Sequence, residues 1–313
     1  MTWGSYYRGD GSVREAELAP PPPWRVFPRQ PIGGMFRPPP GLAVAVNAAL
    51  TLRRPLLLNG APGSGKSTVI ESVAEELGLG AILRWNITSR STLGDALYSY
   101  DVLGRINEQQ LKTAAGKAEA VSDIAPFLRL GPLGTALVPS GRPRALLIDE
   151  IDKSDLDLPS DLLNVLERGE YEIPELVRYD FDEVPVRLWD SADTHPVVRG
   201  RVACTEFPFI VMTSNEERDF PPAFLRRCIR FTMPPASEGE LRDIVGAHFV
   251  MTVPEDGPIA ELVAAFAARL AAGDSVAIDQ LLNAVFVLSG DDAPKDPQRA
   301  ELAGILLREL TGA

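Results

Sequence analysis

The sequence predicts an α/β fold built on a five-stranded parallel sheet, followed by a small all-helical domain. Between about residues 41 and 234, short apolar runs alternate with segments of helical periodicity, a pattern typical of a parallel sheet covered by helices. After residue 235 the strand patterns stop and only helical ones follow. The predicted strands are RPLLLNG (54–60), AILRWNI (81–87), RALLIDE (144–150), FPFIVMTSN (207–215) and CIRFTM (228–233).

The elements between the strands follow from capping and periodicity. LPSDLLNVLERG (158–169) predicts a helix with Pro159 near its start and Gly169 at its end. Residues 170–208 indicate β-rich excursions, and Ser237 with Glu240 forms a capping box that opens the helical domain. Three further helices are predicted near 257–272, 276–289 and 297–311. In residues 99–143 we expect two weak helices and then a loop or hairpin at RLGPLGTALVPSGRP.

The chain therefore divides into an arm (1–40), an α/β domain (41–234, with a predicted insert at 99–143) and a helical domain (235–313). The proline-rich arm is expected to be extended, because proline runs disfavour helix and cannot complete sheet ladders. Its aromatic residues indicate docking on its own domain, or otherwise on a neighbouring subunit. They are Trp3, Tyr6, Tyr7, Trp24, Phe27 and Phe36.

Composition and charge limit the classes of partner. The formal net charge is −12, which disfavours direct binding to phosphate backbones of nucleic acids. No apolar run reaches the ~18–20 residues that cross a bilayer. The N-terminus lacks a basic region followed by an apolar core, so no secretory signal is predicted. Cys204 and Cys228 are expected to be reduced core residues, and we expect a cytoplasmic protein.

A glycine-rich segment, GAPGSGKS, follows the first predicted strand and precedes a helix. It matches GxxxxGK[ST], in which glycines let backbone N–H groups point inward as an anion-binding nest. In this pattern the lysine reaches the β- and γ-phosphates and the hydroxyl of the last residue ligates Mg²⁺. A glycine-rich turn with a surface lysine is the alternative, which the strand–loop–helix context disfavours. The predicted sites for ATP and Mg²⁺ comprise Gly60, Ala61, Pro62, Gly63, Ser64, Gly65, Lys66, Ser67 and Thr68.

An apolar strand that ends in two acids, ALLIDE, lies downstream of this loop. A carboxylate at such a strand end, Asp149, can hold Mg²⁺ directly or through water, and Glu150 can polarise a water for attack on the γ-phosphate. Strands that end in two acids are common, so the prediction depends on the phosphate loop upstream. Asp152 and Asp155 lie past the strand end and are expected to be solvated or capping residues.

Two further patterns lie near the last strands. FPFIVMTSN ends in Asn215, which can hydrogen-bond the attacking water or the γ-phosphate, with a simple turn asparagine as the alternative. PPAFLRRCIRF places Arg226 and Arg227 before the final strand. The two arginines are either surface charges or an arginine finger that reaches the nucleotide of a neighbouring subunit.

Together these motifs resemble the AAA+ ATPases and, within them, the MoxR-like (dynein-related) group. The resemblance runs from about Gly41 to the C-terminus, and its more specific stretches are DEIDKSD…LLNVLE and TSNEE…PPAFLRR. It implies a P-loop NTPase αβα sandwich with a helical lid, and a sheet with the glycine-loop strand at its centre. The roles it implies are phosphate and Mg²⁺ binding by Lys66 and Ser67, the Mg²⁺-side acid Asp149, the catalytic base Glu150, the γ-phosphate sensor Asn215, and the finger Arg227 with Arg226 as alternate.

The resemblance also implies an assembly and a partner. The group forms rings, usually hexamers, and often acts as a remodelling chaperone beside a protein with a von Willebrand A domain. Its insert faces the ring pore or a partner, so residues 99–143, including LGPLG, are the candidate for substrate contact. The arm is similar to the start of MoxR-like proteins from bacterial conflict systems.

One departure from the group keeps other functions open. The group carries a sensor arginine at the start of a lid helix, whereas the comparable stretch here, AAGDSVAIDQLLNA, has none. The complete hydrolytic set favours an ATP-hydrolysing ring that remodels a protein. The absent arginine favours an assembly switch or scaffold with little turnover. A small-molecule kinase shares the phosphate loop, but it predicts neither the order of acid pair and asparagine nor the helical lid.

Overall fold

The computed structural model describes residues 6–7, 9–11, 13, 15, 17–27, 36–115, 123–274, 276–288, 294 and 298–308. Trp3 lies outside these residues. The chain forms two compact units, each treated separately below. The helical unit comprises Met1–Pro39, Gly60–Ser72 and Thr232–Ala313, and the α/β unit comprises Pro40–Asn59 and Val73–Phe231. The predicted domain boundaries near residues 40 and 234 stay predictions.

The strands and helices have the following bounds. The strands are β1 Leu56–Asn59, β2 Leu83–Asn86, β3 Tyr98–Tyr100, β4 Leu128–Leu130, β5 Ala145–Asp149, β6 Glu170–Glu172, β7 Glu183–Arg187, β8 Thr194–Val198, β9 Arg201–Ala203, β10 Phe209–Ser214 and β11 Ile229–Thr232. The helices are α1 Leu42–Leu52, α2 Lys66–Glu76, α3 Leu93–Leu97, α4 Val102–Ala114, α5 Pro132–Ala136, α6 Leu158–Arg168, α7 Pro174–Val177, α8 Pro222–Leu225, α9 Glu238–Phe249, α10 Pro258–Ala272, α11 Ile278–Leu288 and α12 Gln298–Leu306.

The five predicted strands form one sheet in the order β11-β1-β10-β5-β2, which confirms the fold class. The pairs β1–β10, β10–β5 and β5–β2 are parallel. All six residues of β10 are buried, which explains why this strand reads as a continuous apolar run rather than an alternating one. The expectation that β1 lies at the centre is wrong. β10 is the middle strand, and β1 lies between it and β11, whose alternate residues are exposed as at a sheet edge.

A second sheet accounts for the β-rich excursions of residues 170–208. Its order is β3-β4-β7-β8-β9-β6, and most of its pairs are antiparallel. β7 alternates exposed and buried residues along its length, as expected for a strand with one face on the core. Both sheets contribute to one hydrophobic core, which includes Leu57, Ile148, Met212, Val186 and Leu130.

The segment RLGPLGTALVPSGRP is neither the predicted loop nor a hairpin. It contains the last two residues of β4 and the short helix α5, which begins with proline at its first turn. Residues 131–138 are all buried, so LGPLG belongs to the core and is not available for substrate contact. The expectation of substrate contact at LGPLG is therefore wrong. An apolar run that contains glycine can pack in the core as readily as it can form a loop.

A substitution at Gly134 tests whether residues 131–138 pack in the core. A Cβ at Gly134 would overlap the carbonyl oxygen of Leu97 and lie 2.7 Å from Tyr171 Oη, whereas a Cβ at Gly141 meets nothing within 4 Å. We expect G134A to lower the free energy of unfolding by about 1–3 kcal/mol through overpacking. G141A should stay within about 0.5 kcal/mol of wild type. Urea unfolding of the two variants measures the difference, and equal stabilities would contradict the packing described.

The C-terminal helices have their own core. The capping box at the start of α9 is confirmed, since Ser237 Oγ accepts from the Glu240 N–H and Glu240 Oε2 accepts from the Ser237 N–H. Leu241, Val263, Phe266 and other apolar residues of α9, α10 and α11 pack together. In the described part of the chain no helix has both the length and the apolar composition needed to cross a membrane.

Trp24 of the arm packs against this helical core. Its Nε1–H donates to Asn283 Oδ1 at 3.2 Å. Its ring makes edge contacts with His248, Phe249 and Phe286 at centroid distances of 6.0, 5.5 and 6.0 Å. The arm thus docks on its own chain at this residue, as the aromatic content of the arm suggested.

Removing this aromatic anchor should loosen α9 and α11. Because Trp24 is only partly buried, we expect W24A to lower the free energy of unfolding by about 2 kcal/mol, less than the loss of a fully buried tryptophan would. Hydrogen exchange of the backbone amides in α9 and α11 should accelerate. Y7A, which removes an arm aromatic that is 89% exposed, should leave that exchange unchanged. Unchanged exchange in W24A would show that the arm does not support these helices.

Candidate nucleotide-binding site

The backbone of the glycine-rich loop has dihedral angles that require glycine at three positions. Gly60, Gly63 and Gly65 have φ of 144°, 74° and 82°, values that residues with a Cβ rarely adopt. Neighbours also leave no room for side chains there. A Cβ on Gly63 would lie 2.7 Å from the Ala277 Cβ, and one on Gly60 would lie 3.0 Å from the Met233 Cβ. Gly60 is buried, whereas Ala61, Pro62 and Gly63 are exposed, so the loop is a glycine turn that is open on its outer side.

Lys66 begins α2 and folds back over this loop. Its ammonium donates to the carbonyl oxygens of Gly60 and Ala61 at 2.7 and 2.8 Å, and the residue is only 7% exposed. The alternative of a surface lysine is therefore wrong. Ser64 Oγ, in the same loop, is buried and has no hydrogen-bond partner among the described residues. A buried ammonium and an unsatisfied hydroxyl in one glycine loop suit an anionic ligand.

A single threonine organises the acidic strand end in the α/β unit. Thr213 Oγ1 donates to Asp149 Oδ1 at 2.6 Å and accepts from the Glu150 N–H at 2.8 Å. Thr213 is 1% exposed, so this hydroxyl has no competing water. One buried hydroxyl of β10 thus fixes both the carboxylate of Asp149 and the backbone of Glu150 on the neighbouring strand.

Glu150 has an uncommon backbone conformation and an ion pair. Its φ is 59°, in the left-handed region, where residues other than glycine are held at a cost of about 1–3 kcal/mol and cluster at functional sites. Its Oε2 lies 2.7 Å from Lys153 Nζ, and both side chains are 41% exposed. The hydrogen bond to Glu150 raises the pKa of Lys153.

Asp152 connects this strand end to the loop that carries Asn215. Its Oδ2 accepts from the N–H groups of Asn215 and Glu217 at 2.8 and 3.1 Å. Asp152 is 3% exposed, so of its two expected roles, solvated or capping, only capping fits. It caps the Asn215 loop from within the protein. Asp155 does cap, since its Oδ1 accepts from the N–H of Leu158 at the start of α6.

The sheet register brings the predicted strand-end residues together. Asn59 of β1 lies beside Ser214 of β10, and Asn215 follows directly after β10. β5 ends at Asp149 beside β10. The α/β unit therefore assembles Asp149, Glu150 and Asn215 at the carboxyl edge of the sheet, where ligands of parallel α/β folds bind.

The two candidate finger arginines have different surroundings. Arg227 forms an ion pair with Glu167 of α6 and donates from Nη1 to the carbonyl oxygen of Ala223 at 3.1 Å. The hydrogen bond from Arg227, with a further contribution from the charge of Arg226, lowers the pKa of Glu167. Arg226 is exposed, and its carbonyl oxygen accepts from Arg54 Nη1. Arg227 is thus held within its own chain.

The fold and the site define a P-loop nucleotide-binding α/β protein. Residues 55–228, more than half of the chain, match the family model described as AAA domain (dynein-related subfamily). The chain therefore belongs to this AAA family. No curated protein sequence matches it.

Among solved structures, the chain is similar to NtrX from Brucella abortus in complex with ADP. The two share 15% sequence identity with a TM-score of 0.45 over 87% of this chain and 54% of that one. The chain thus spans about half the length of NtrX.

Sequence reasoning missed several residues that shape the site. Thr213 lies inside a predicted strand with no expected role, although a hydroxyl inside a continuous apolar run is a signal of buried hydrogen bonding. Lys153 and Glu167 lie in DEIDKSD and LLNVLE, but nothing in the one-dimensional pattern pairs them with Glu150 and Arg227. Those pairs follow from the turn after β5 and from the packing of α6.

The Thr213 hydroxyl can be removed without changing the shape of the side chain. T213V removes the buried hydroxyl that bonds to Asp149 Oδ1 and to the Glu150 N–H, so we expect a loss of about 1–3 kcal/mol in the free energy of unfolding. T213S keeps the hydroxyl and should retain most of the stability, apart from the loss of one methyl group. Chemical denaturation compares the three proteins. If T213V is as stable as wild type, the bridge contributes nothing.

Proposed function

We propose that this protein binds ATP with Mg²⁺ and hydrolyses it. The observation that carries the proposal is the Thr213 bridge, which orders Asp149 and Glu150 at the end of β5. The resemblance to the AAA+ ATPases assigns phosphate binding to Lys66 and Ser67, Mg²⁺ binding to Asp149 and Ser67, and contact with the γ-phosphate or the attacking water to Asn215. Glu150 accepts the proton of that water as general base.

The residues present fit both cofactors. A Cβ added at Gly60 or Gly63 would lie only 3.0 or 2.7 Å from a neighbouring atom, so the loop needs glycine there, and the ammonium of Lys66 bonds to the loop carbonyl oxygens. Within the described residues no group of three or more His, Cys, Asp or Glu side chains forms a metal site. Mg²⁺ bound together with a nucleotide needs only one or two carboxylates beside phosphates and water. When bound, Mg²⁺ neutralises charge that develops on the phosphates.

We also propose that the active form is a ring of identical chains, with six as the expected number. AAA proteins generally assemble in rings, and an arginine finger from one subunit completes the site of the next. Arg227 is proposed as that finger, with Arg226 as the alternate. Because Arg227 pairs with Glu167 in the single chain, assembly must exchange this intramolecular partner for the phosphate of a neighbour.

The finer assignment is a MoxR-like remodeller of a protein partner. It is supported by the stretches DEIDKSD…LLNVLE and TSNEE…PPAFLRR and by the acidic net charge of −12, which favours protein over nucleic acid. A protein with a von Willebrand A domain is the proposed partner, and a cytoplasmic location is proposed with it. The resemblance of the arm to conflict-system proteins gives the proposed biological setting.

A second candidate function is an assembly switch with little turnover. The observation that favours it is the start of α11, where Ala277 and Ile278 lie against the phosphate loop at Gly63 and no arginine is present in residues 271–284. Without a lid arginine on the γ-phosphate, nucleotide binding could be coupled to assembly more strongly than to hydrolysis.

Substitution of the base separates the two functions. E150Q keeps the size of the side chain but cannot accept the proton, so we expect ATP hydrolysis to fall about 10²–10⁴-fold. Nucleotide binding should persist and yield a stable ATP-dependent oligomer. Phosphate release and the mass of the protein with and without ATP·Mg²⁺ measure these effects.

The control is E172Q, which neutralises an exposed glutamate on β6 and should hydrolyse ATP at the wild-type rate. Wild type that binds ATP and assembles but releases no phosphate would favour the switch. E150Q that hydrolyses ATP like wild type would exclude Glu150 as the base.

A further inference from the structure

Two arginines lie side by side on the outer face of the second sheet. The register places Arg129 of β4 beside Arg187 of β7, and neighbouring strands lie about 5 Å apart. The residues before and after each arginine are buried, so both side chains point away from the core, because successive side chains of a strand alternate between faces. Ser99 of β3 and Thr194 of β8 continue the same row at its two ends and are exposed. The four residues, here called the arginine row, thus place two guanidinium groups between two hydroxyl groups.

Trp189 holds one of these guanidinium groups in place. Arg129 Cζ lies 4.7 Å from the centroid of the Trp189 ring, which is within the range of a cation–π contact. The backbone of Trp189 is itself fixed, because its N–H donates to Thr135 Oγ1 at 2.9 Å and Thr135 is 1% exposed. Arg129 Nε is buried and has no hydrogen-bond partner among the described residues. The guanidinium of Arg129 is therefore preorganised by an aromatic ring rather than by an acceptor.

The arginine row has no counter-charge within the described part of the chain. No carboxylate of the described residues pairs with Arg129 or Arg187. At the other end of the same sheet, Arg201 of β9 pairs with Glu170 of β6, so arginines of this sheet pair with carboxylates where the fold supplies them. Like charges on neighbouring strands repel each other, and the chain as a whole has an excess of acidic residues, with a net charge of −12. The two positive charges are therefore available to a negatively charged group from outside the chain.

We propose that the arginine row binds a carboxylate-bearing segment of a protein partner. Each guanidinium can donate two parallel hydrogen bonds to a carboxylate, and the flanking hydroxyls of Ser99 and Thr194 can donate to the same segment. A polypeptide is favoured over a nucleic acid, because the net charge of −12 repels a continuous phosphate backbone. An isolated aspartate or glutamate side chain needs only the local charge of the row. This inference adds to the proposed remodelling function the chemistry of the partner segment, and it rests on that function for the identity of the partner as a protein.

Binding of an acidic peptide to the full chain, measured without ATP, tests the arginine row. The probe is a labelled peptide of alternating glutamate and glycine, and its control carries glutamine in place of every glutamate. Fluorescence anisotropy is measured in physiological salt, which screens the net negative charge of the chain. The glutamate peptide should bind about tenfold more tightly, since charge-assisted hydrogen bonds are stronger than neutral ones. Equal affinities for the two peptides overturn the proposal.

Substitutions on the same sheet locate the binding. R187Q removes an exposed guanidinium and leaves the contact between Arg129 and Trp189 in place, so the Kd of the glutamate peptide should rise about three- to tenfold. R201Q is the matched control, because it removes the same charge from the same sheet at a position already paired with Glu170. It should change the Kd by less than about twofold. An unchanged Kd in R187Q, or an equal rise in R201Q, overturns the proposal.

Trp189 supplies a readout at the site itself. A carboxylate bound to Arg129 changes the environment of the indole ring 4.7 Å away, so the unlabelled glutamate peptide should alter the intrinsic tryptophan fluorescence of the wild type. W189F keeps an aromatic ring under Arg129 and should keep the Kd within about threefold, but it should lose this fluorescence change. A change that persists in W189F would place the peptide elsewhere and overturn the proposal.

The outcome for the proposed function is read independently, because peptide binding is measured without ATP and hydrolysis without peptide. Hydrolysis by wild type and its loss in E150Q establish the ATPase, whichever result R187Q gives. Peptide binding that depends on Arg187 establishes the site, whether or not phosphate is released. A single-stranded oligonucleotide that binds more tightly than the glutamate peptide, and loses affinity in R187Q, would assign the site to nucleic acid and overturn the proposal.

Discussion

The hydrogen bonds of one buried hydroxyl hold the chemical centre of this protein together. Thr213 belongs to the middle strand of the parallel sheet, and its neighbours along β10 are buried on both faces. A shift of that strand against β5 by one residue would turn the Thr213 hydroxyl to the other face of the sheet, because successive side chains of a strand alternate between faces. The register therefore determines which hydroxyl meets Asp149, and the hydroxyl determines the orientation of the acid pair.

A few backbone conformations and hydrogen bonds also hold the loops that follow β5 and β10. Glu150, directly after β5, has a φ of 59°, and Glu216, two residues after β10, has a φ of 61°. Asp152, in the loop after β5, holds the loop after β10 in place by accepting hydrogen bonds from the N–H groups of Asn215 and Glu217. Such a backbone persists only when its surroundings over-determine it. The two loops are therefore mechanically linked.

In the single chain, charged groups proposed for catalysis are paired internally. Lys153 engages Glu150, and Glu167 engages Arg227. Both pairs are partly exposed and weak, so a phosphate or a neighbouring subunit can compete for them. These internal pairs in the single chain agree with the proposal that assembly brings Arg227 to the site of a neighbouring subunit.

Much of this could be predicted from the sequence because it depends on local patterns. The five strands, the loop glycines, Gly169 at the end of α6 and the Ser237–Glu240 capping box follow from periodicity and from backbone conformations that few residues adopt. The predictions failed, or left alternatives open, where tertiary packing decided. LGPLG packs into the core instead of a loop, Asp152 caps a loop instead of being solvated, and β10 rather than β1 is central. No local pattern in the sequence predicts these three features, because each depends on which elements pack against each other in the folded chain.

The most direct test of the account is ATP hydrolysis as a function of the concentration of the wild-type protein. If Glu150 is the base and Arg227 of a neighbouring subunit completes the site, phosphate release per chain should be low in dilute protein. It should rise with concentration to a plateau as chains assemble and Arg227 leaves Glu167. Phosphate release per chain that is independent of concentration would contradict the shared site. The absence of release at any concentration, with ATP bound, would contradict the ATPase itself.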